Sequence, residues 1–278
     1  MSTALPDRYA VIGYPVKHSR SPFIHGLFAM QTDQRITYQL LEVPPEKFVE
    51  EGQRFFNNGG KGLNVTVPHK QTARQWVQSQ SPRAEFAGAV NTIMLMQDGS
   101  LLGDNTDGVG LLNDLKRNLH FDFTHKRVLL LGAGGAARGV LAPLLLQEPS
   151  EIVIANRNIE RADNLVEEFS TLGKVTSANF ADLEPNAFDL IVNATAASLY
   201  GEMPPLPPGI VGNHTLCYDM AYGRDDTVFT HWAKQQGAAG AVQGWGMLVE
   251  QAAESFFLWR GVRPDTKPVL DALTKTRT

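Results

Sequence analysis

The run RVLLLGAGGAARGVLAPLL, residues 127–145, decides the fold of the larger part of this chain. Val128 to Leu131 are apolar without interruption, the pattern of a strand covered by helices on both faces of a parallel sheet. Gly132, Gly134 and Ala137 follow at once in the spacing G-x-G-x-x-G/A, and a helical stretch begins there. The first glycine permits a tight turn, the second lets a pyrophosphate approach the backbone, and the small third residue lets helix and strand pack closely. The free N–H groups and dipole of the helix start then favour an anion. Small residues also serve plain tight packing, but the position between a buried strand and a helix is the one that nucleotide binding requires.

Working outward, EIVIAN (151–156), DLIVNAT (189–195), TLCYDM (215–220) and AAGAV (238–242) supply further apolar strands alternating with helical stretches. They predict a doubly wound α/β domain of the Rossmann type. An NAD site would carry an acidic residue at the end of the second strand to hold the ribose hydroxyls. That position is Asn156, followed by Arg157 and Arg161, whose guanidinium groups suit a 2′-phosphate, so NADP is the expected cofactor. The plainer reading, two solvated arginines, conflicts with the helix start, where cations are disfavoured.

The part before this domain also alternates. YAVIG (9–13), TYQLLEV (37–43) and GLNVTV (62–67) read as strands, with helices after Pro22 and over 45–57. GAVNTIML (88–95) and LLGDNTD (101–107) read as two strands across a turn at Asp98-Gly99. A last helix, Gly246 to Arg260, follows the completed second sheet and is expected to pack back on the first domain. The expected organisation is an α/β substrate-binding domain over 1–106, an NADP-binding domain over 107–243, and C-terminal helices over 244–278. The active site is then expected in the cleft between the domains.

Composition narrows the partners. A net charge of −4 with scattered cations offers no basic face for nucleic acid or an anionic membrane, so a small molecule is the expected ligand. The one cysteine, Cys217, excludes an internal disulfide and multi-thiolate metal clusters, and reads as a small core residue of a cytoplasmic protein. The seven histidines show no metal-ligand spacing, and His18 and His25 read as ordinary loop and helix residues. No secretion signal or apolar run of membrane-spanning length is expected. A monomer or a homodimer is equally compatible.

Four polar segments stand at strand ends and loops: KHSRSP (17–22), NVTVPHK (64–70), AVNT (89–92) and GDNTDG (103–108). Ser19 and Ser21 also suit caps of the helix near Pro22. Asn64 and Thr66, two apart, face one side of a strand. Together these amides, hydroxyls, one ammonium and one carboxylate suit a polyhydroxylated acid. In order and spacing, HSRSP, GLNVTVPHK, GAVNT, GDNTDG, GAGGAAR, NRNIER, DMAY and QGWGMLVEQA resemble the motifs of the shikimate dehydrogenase family, from Ile12 to about Gly261. That resemblance implies a substrate domain followed by an NADP-binding domain. It also implies reversible NADPH reduction of 3-dehydroshikimate to shikimate, a step of aromatic amino-acid biosynthesis.

By the same resemblance, Lys70 and Asp107 are the catalytic pair, and Ser19, Ser21, Asn64, Thr66, Asn91, Tyr222 and Gln251 bind substrate. Gly132, Gly134, Gly135, Ala136, Ala137, Asn156, Arg157, Arg161 and Thr195 correspond to cofactor positions, with Gly244 and Met247 at the nicotinamide. The loop NATAASLYG (193–201) and His69 depart from the family pattern. Chemistry agrees with the pair: alcohol oxidation needs a group that takes the hydroxyl proton, and a partly buried lysine oriented by a carboxylate meets that need. A structural salt bridge is the plainer alternative. Other readings are a quinate/shikimate dehydrogenase of broader specificity, a non-catalytic NADP- or metabolite-binding module, and a methylene-tetrahydrofolate-type dehydrogenase. The lysine–aspartate pair argues against the second, and the serine pair with GDNTDG against the third.

Overall fold

The computed structural model describes residues 5–275. They divide into two compact units, one comprising residues up to Gly110 with those from Leu248 onward, the other Leu111–Met247.

The first unit runs β1 (Asp7–Gly13), α1 (Ser21–Gln31), β2 (Ile36–Glu42), α2 (Phe48–Asn57), β3 (Gly60–Val65), α3 (Lys70–Trp76), β4 (Ser79–Gln80), α4 (Pro82–Ala87), β5 (Thr92–Leu95) and β6 (Leu101–Asp104). Its sheet has the order β2-β1-β3-β5-β6-β4. Helical crossovers make β1 parallel to β2 and β3, whereas β5 is antiparallel to β3 and to its hairpin partner β6. Ile12, Phe48, Phe55, Leu63, Val90 and Ile93 fill its core. Two strand readings need correction at their ends. Residues 88–91 are not strand, because Gly88 adopts the left-handed conformation and closes α4, which Ser81 caps through the Ala84 amide. Residues 105–107 leave the sheet as well, and Asp107 opens helix α5 (Asp107–Asn113).

The second unit continues with β7 (Arg127–Leu131), α6 (Gly135–Leu145), β8 (Glu151–Ala155), α7 (Ile159–Phe169), β9 (Val175–Ala178), β10 (Leu190–Asn193), β11 (Leu216–Asp219), α8 (Val228–Gln235) and β12 (Gly240–Gln243). All pairings are parallel, in the order β12-β11-β10-β7-β8-β9. The uninterrupted apolar runs have a direct cause. Val128 and Leu130 enter one core with residues of α6 and α7, while Leu129 and Leu131 enter another with Phe180, Phe188 and Phe229. Cys217 lies in the second core, where burial pushes its thiol up to about 12.

The chain ends with α9 (Trp245–Arg260) and α10 (Lys267–Lys275). Within the first unit, Trp259 of α9 stacks on Tyr9 with ring centres 4.7 Å apart and donates to the Ile93 carbonyl at 3.1 Å. Arg83 also ties α9 to β6, bonding Glu254 at 2.8 Å and Asp104 at 2.5 Å. Among the described residues no helix is long and apolar enough to cross a membrane.

Candidate active site

In the first unit the polar motifs meet around the ends of β3, β5 and β6. Lys70 is the first residue of α3, and the preceding His69 anchors it from below: its Nε2 lies 2.8 Å from the Val43 carbonyl and its ring stacks on Phe48. Burial holds the His69 pKa below the ordinary imidazole value. The Lys70 ammonium pairs with the Asp107 carboxylate, and the two side chains remain 30% and 22% exposed, open to a ligand.

The direction of that carboxylate follows from a hydrogen-bond count. Asn91 Oδ1 accepts from the Thr106 backbone N–H at 2.9 Å, so its Nδ2 must face the other way. There it donates to Asp107 Oδ1 at 2.8 Å, leaving Oδ2 for Lys70. Asn91 is thus engaged with Asp107 as well as standing among the expected substrate contacts.

Asn64 is similarly fixed. Its Nδ2 donates to Ser255 Oγ at 2.9 Å, to Thr92 Oγ1 at 3.1 Å and to the Asn91 carbonyl at 3.3 Å. Thr92, Thr106 and Ser255 are fully buried beneath these groups. Gln251 accepts from Thr106 Oγ1 at 3.4 Å, which brings α9 beside the residue preceding Asp107. Ser19 Oγ donates to Ser21 Oγ at 3.1 Å and accepts from the Ser21 amide at 3.3 Å at the start of α1, whose N-cap residue Arg20 makes no side-chain bond. Thr66 follows β3 half-buried, its amide bonded to the Ile12 carbonyl.

Tyr222 belongs to the other unit, 41% exposed with its ring 4.5 Å from Trp245. Also in that unit, Gly132 has φ +102°, a conformation strained for any side chain. A Cβ on Gly134 or Gly135 would meet nothing within 4 Å, so the start of α6 is bare backbone beside open space. Ala137, by contrast, is fully buried, and Ala136 is exposed. At the end of β8, Asn156 bonds the Asn158 carbonyl at 2.8 Å, while Arg157 and Arg161 are exposed and have no acidic partner among the described residues. This bare helix start with two uncommitted guanidinium groups fits a phosphorylated dinucleotide.

At the other edge of the same cradle, Asn193 Oδ1 accepts from both the amide and the hydroxyl of Thr195. Its Nδ2 reaches Asp219 and Ser198 at 3.2 Å. Asp219 also accepts from Ser198 and Thr227 at 2.6 Å and from the Ala221 amide at 3.1 Å. One carboxylate thereby fixes both the Thr195 loop and the turn carrying Tyr222. Met247 donates its amide to Tyr218 at 3.3 Å, and Tyr218 in turn donates to Asp114 at 2.6 Å; the Gly244 amide bonds the Ala221 carbonyl at 3.1 Å. Burial holds the Asp114 and Asp219 carboxyls above the usual range.

Comparison with known proteins matches three family models. "Shikimate dehydrogenase substrate binding domain" covers residues 11–93, "Shikimate / quinate 5-dehydrogenase" 114–201, and "Shikimate 5'-dehydrogenase C-terminal domain" 244–274. The shikimate dehydrogenase (NADP(+)) of Methylococcus capsulatus is 52% identical over 98% of this chain and 98% of its own. The chain belongs to the shikimate dehydrogenase family.

Solved structures share the two-domain α/β architecture. An Ael1 enzyme from Pseudomonas putida superimposes with a TM-score of 0.92 at 46% identity, covering 96% of this chain and 98% of its own. The shikimate 5-dehydrogenase of Thermus thermophilus, solved with NADP(H) and shikimate, gives 0.85 at 32% identity, over 98% and 100% of the two chains.

The sequence reading gave no role to Tyr38, Ser255, Asn193 or Asp219. Tyr38 and Ser255 sit in a strand and a helix outside the polar motifs, where polar side chains read as solvated or as core. Asn193 opens NATAASLYG and Asp219 opens DMAY, and both end apolar strands of a parallel sheet, where ligand-side residues collect.

Proposed function

We propose that this chain is an NADP-dependent oxidoreductase interconverting 3-dehydroshikimate and shikimate in aromatic amino-acid biosynthesis. The observation that carries the reading is the partly exposed Lys70–Asp107 pair, its carboxylate oriented by Asn91, in a chain half identical to NADP-dependent shikimate dehydrogenases.

Oxidation removes a hydride from the carbinol carbon and a proton from its oxygen. The nicotinamide, when bound, supplies the hydride acceptor. The residues of this chain handle the proton: Lys70 hydrogen-bonds the reacting oxygen, Asp107 fixes the direction of the ammonium, and the proton enters the pair as charge develops on oxygen. In the reverse direction the pair returns it. Ser19, Ser21, Asn64, Thr66, Asn91, Tyr222 and Gln251 hold the carboxylate and hydroxyls of the substrate. Gly132, Gly134, Gly135, Ala136, Ala137 and Thr195 cradle the pyrophosphate side of the cofactor; Asn156, Arg157 and Arg161 take the 2′-phosphate, and Gly244 and Met247 the nicotinamide.

The substrate-binding part spans 1–106 with the helices of 244–278, and the cofactor-binding part 107–243. A cytoplasmic enzyme, monomeric or homodimeric and acting on a small molecule without nucleic acid, fits the buried lone cysteine and the scattered charge. The test crosses shikimate and quinate with NADP⁺ and NAD⁺ while following nicotinamide reduction. Turnover confined to shikimate with NADP⁺ supports the reading. Comparable quinate turnover replaces it with the broader specificity that the middle family model also names, and no turnover with either acid overturns it.

A further inference from the structure

Tyr38 belongs to no polar motif and lies on β2, at the edge of its sheet. Its hydroxyl nevertheless reaches a substrate-side group, donating to Asn64 Oδ1 at 2.7 Å. We infer that Tyr38 is a positioning residue for substrate binding, fixing the orientation of the Asn64 amide through its phenolic hydroxyl.

The donors and acceptors leave one arrangement. The Asn91 carbonyl can only accept, so the Asn64 NH₂ is the end that faces it, and Oδ1 is the end that faces Tyr38. The phenol therefore gives its single proton to Asn64. The order of donation runs from Tyr38 to Asn64 and, through the amide NH₂, to the buried pair Thr92 and Ser255. Reversing the Asn64 amide would set its carbonyl oxygen against that of Asn91.

The ring is held as firmly as the hydroxyl. His25 of α1 stacks on Tyr38 nearly face to face, with ring centres 4.2 Å apart and an angle of 8°. Phe28, Phe256 and Trp259 surround His25 at 5.5 to 6.1 Å. Neither His25 ring nitrogen has a hydrogen-bond partner in this cluster, so the imidazole serves as a flat neutral plate. A tyrosine needed only as core filling has no use for a hydroxyl bonded to an expected substrate contact.

The inference rests on shikimate as substrate, which the wild-type assay tests separately. Tyr38→Phe keeps the stack and removes only the hydroxyl. One hydrogen bond is lost and the Asn64 oxygen is left unpaired, so shikimate kcat/KM is expected to fall about tenfold, mostly through KM, with the KM for NADP⁺ unchanged. In the Asn64→Ala background the same change is expected to cost clearly less, because what Tyr38 holds is already gone. Retained thermal stability and NADP⁺ KM verify that each variant folds. If wild type is active and Tyr38→Phe matches it, the inference is wrong. It is equally wrong if the two losses multiply in full, or if the KM for NADP⁺ rises as much as that for shikimate. An inactive wild type would bring down the functional reading itself, and this inference with it.

Discussion

His25→Phe is expected to remove a pH dependence of stability that the fold imposes on one imidazole. In the folded chain His25 is wholly buried in its aromatic cluster without a hydrogen-bond partner, and burial pushes its pKa from 6.5 down to about 3. In the unfolded chain it titrates near 6.5. Between these values the unfolded state binds one proton more than the folded state, so stability falls as pH is lowered from about 6.5 towards 3. At pH 5 the gap is about 1.5 units at about 1.4 kcal/mol each, giving a loss of about 2 kcal/mol relative to pH 8. Phenylalanine keeps the plate against Tyr38 and takes up no proton. Its larger ring will cost some stability by overpacking, but by the same amount at both pH values. Urea denaturation of both proteins at pH 5 and pH 8 isolates the effect, since His69 and the carboxylates titrate in both and cancel in the difference. Wild type should lose about 2 kcal/mol more than the variant on acidification. Equal losses would refute the reasoning, showing that His25 is protonated in the fold or that its cluster opens.

Lys70→Ala is expected to lower kcat by on the order of 10²- to 10⁴-fold with a smaller change in KM for shikimate, as steady-state kinetics would show; a steep KM rise at normal kcat would instead make Lys70 a binding group. Arg157→Ala is expected to raise the KM for NADP⁺ by about ten- to a hundredfold, the value of one charge-assisted contact, and to leave NAD⁺ parameters unchanged. Arg161→Ala should act in the same direction, and equal losses for both cofactors would place the arginines elsewhere than at the 2′-phosphate.

What the chain discloses by reading alone depends on how local its causes are. The strand β7 and its glycine turn were readable because burial on two faces leaves an uninterrupted apolar run and phosphate binding demands small residues at fixed spacing. The β5/β6 hairpin was readable from Asp98-Gly99, where Gly99 takes φ +85°. Helix α3, KQTARQW, was not, since a seven-residue polar stretch carries no apolar period and buries only Ala73. The two-residue β4 and the weakly apolar β9, VTSA, fall below any pattern. Asp107 read as a strand end because DNTD continues an apolar run, yet the Asn91 and Asn105 side chains take its neighbourhood out of the sheet. The site's outer members stood out as polar clusters. Its inner members Tyr38 and Ser255 did not, because the Asn64 side chain that each bonds lies 26 and 191 residues away in the chain.

The separation of determinants across the second sheet bears on how this enzyme family can change. Asn156 and Arg157 follow β8, on one side of β7, whereas the Asp219 network spans β10 and β11 on the other. No hydrogen bond among the described residues joins the two sets. With the 2′-phosphate held at 156–161, as proposed, coenzyme preference can therefore drift by replacements there without disturbing the reactive end. Asp219 is the opposite case: by serving the Thr195 loop and the Tyr222 turn at once, it makes any replacement there felt at both, a position where selection has little room to move one property without the other.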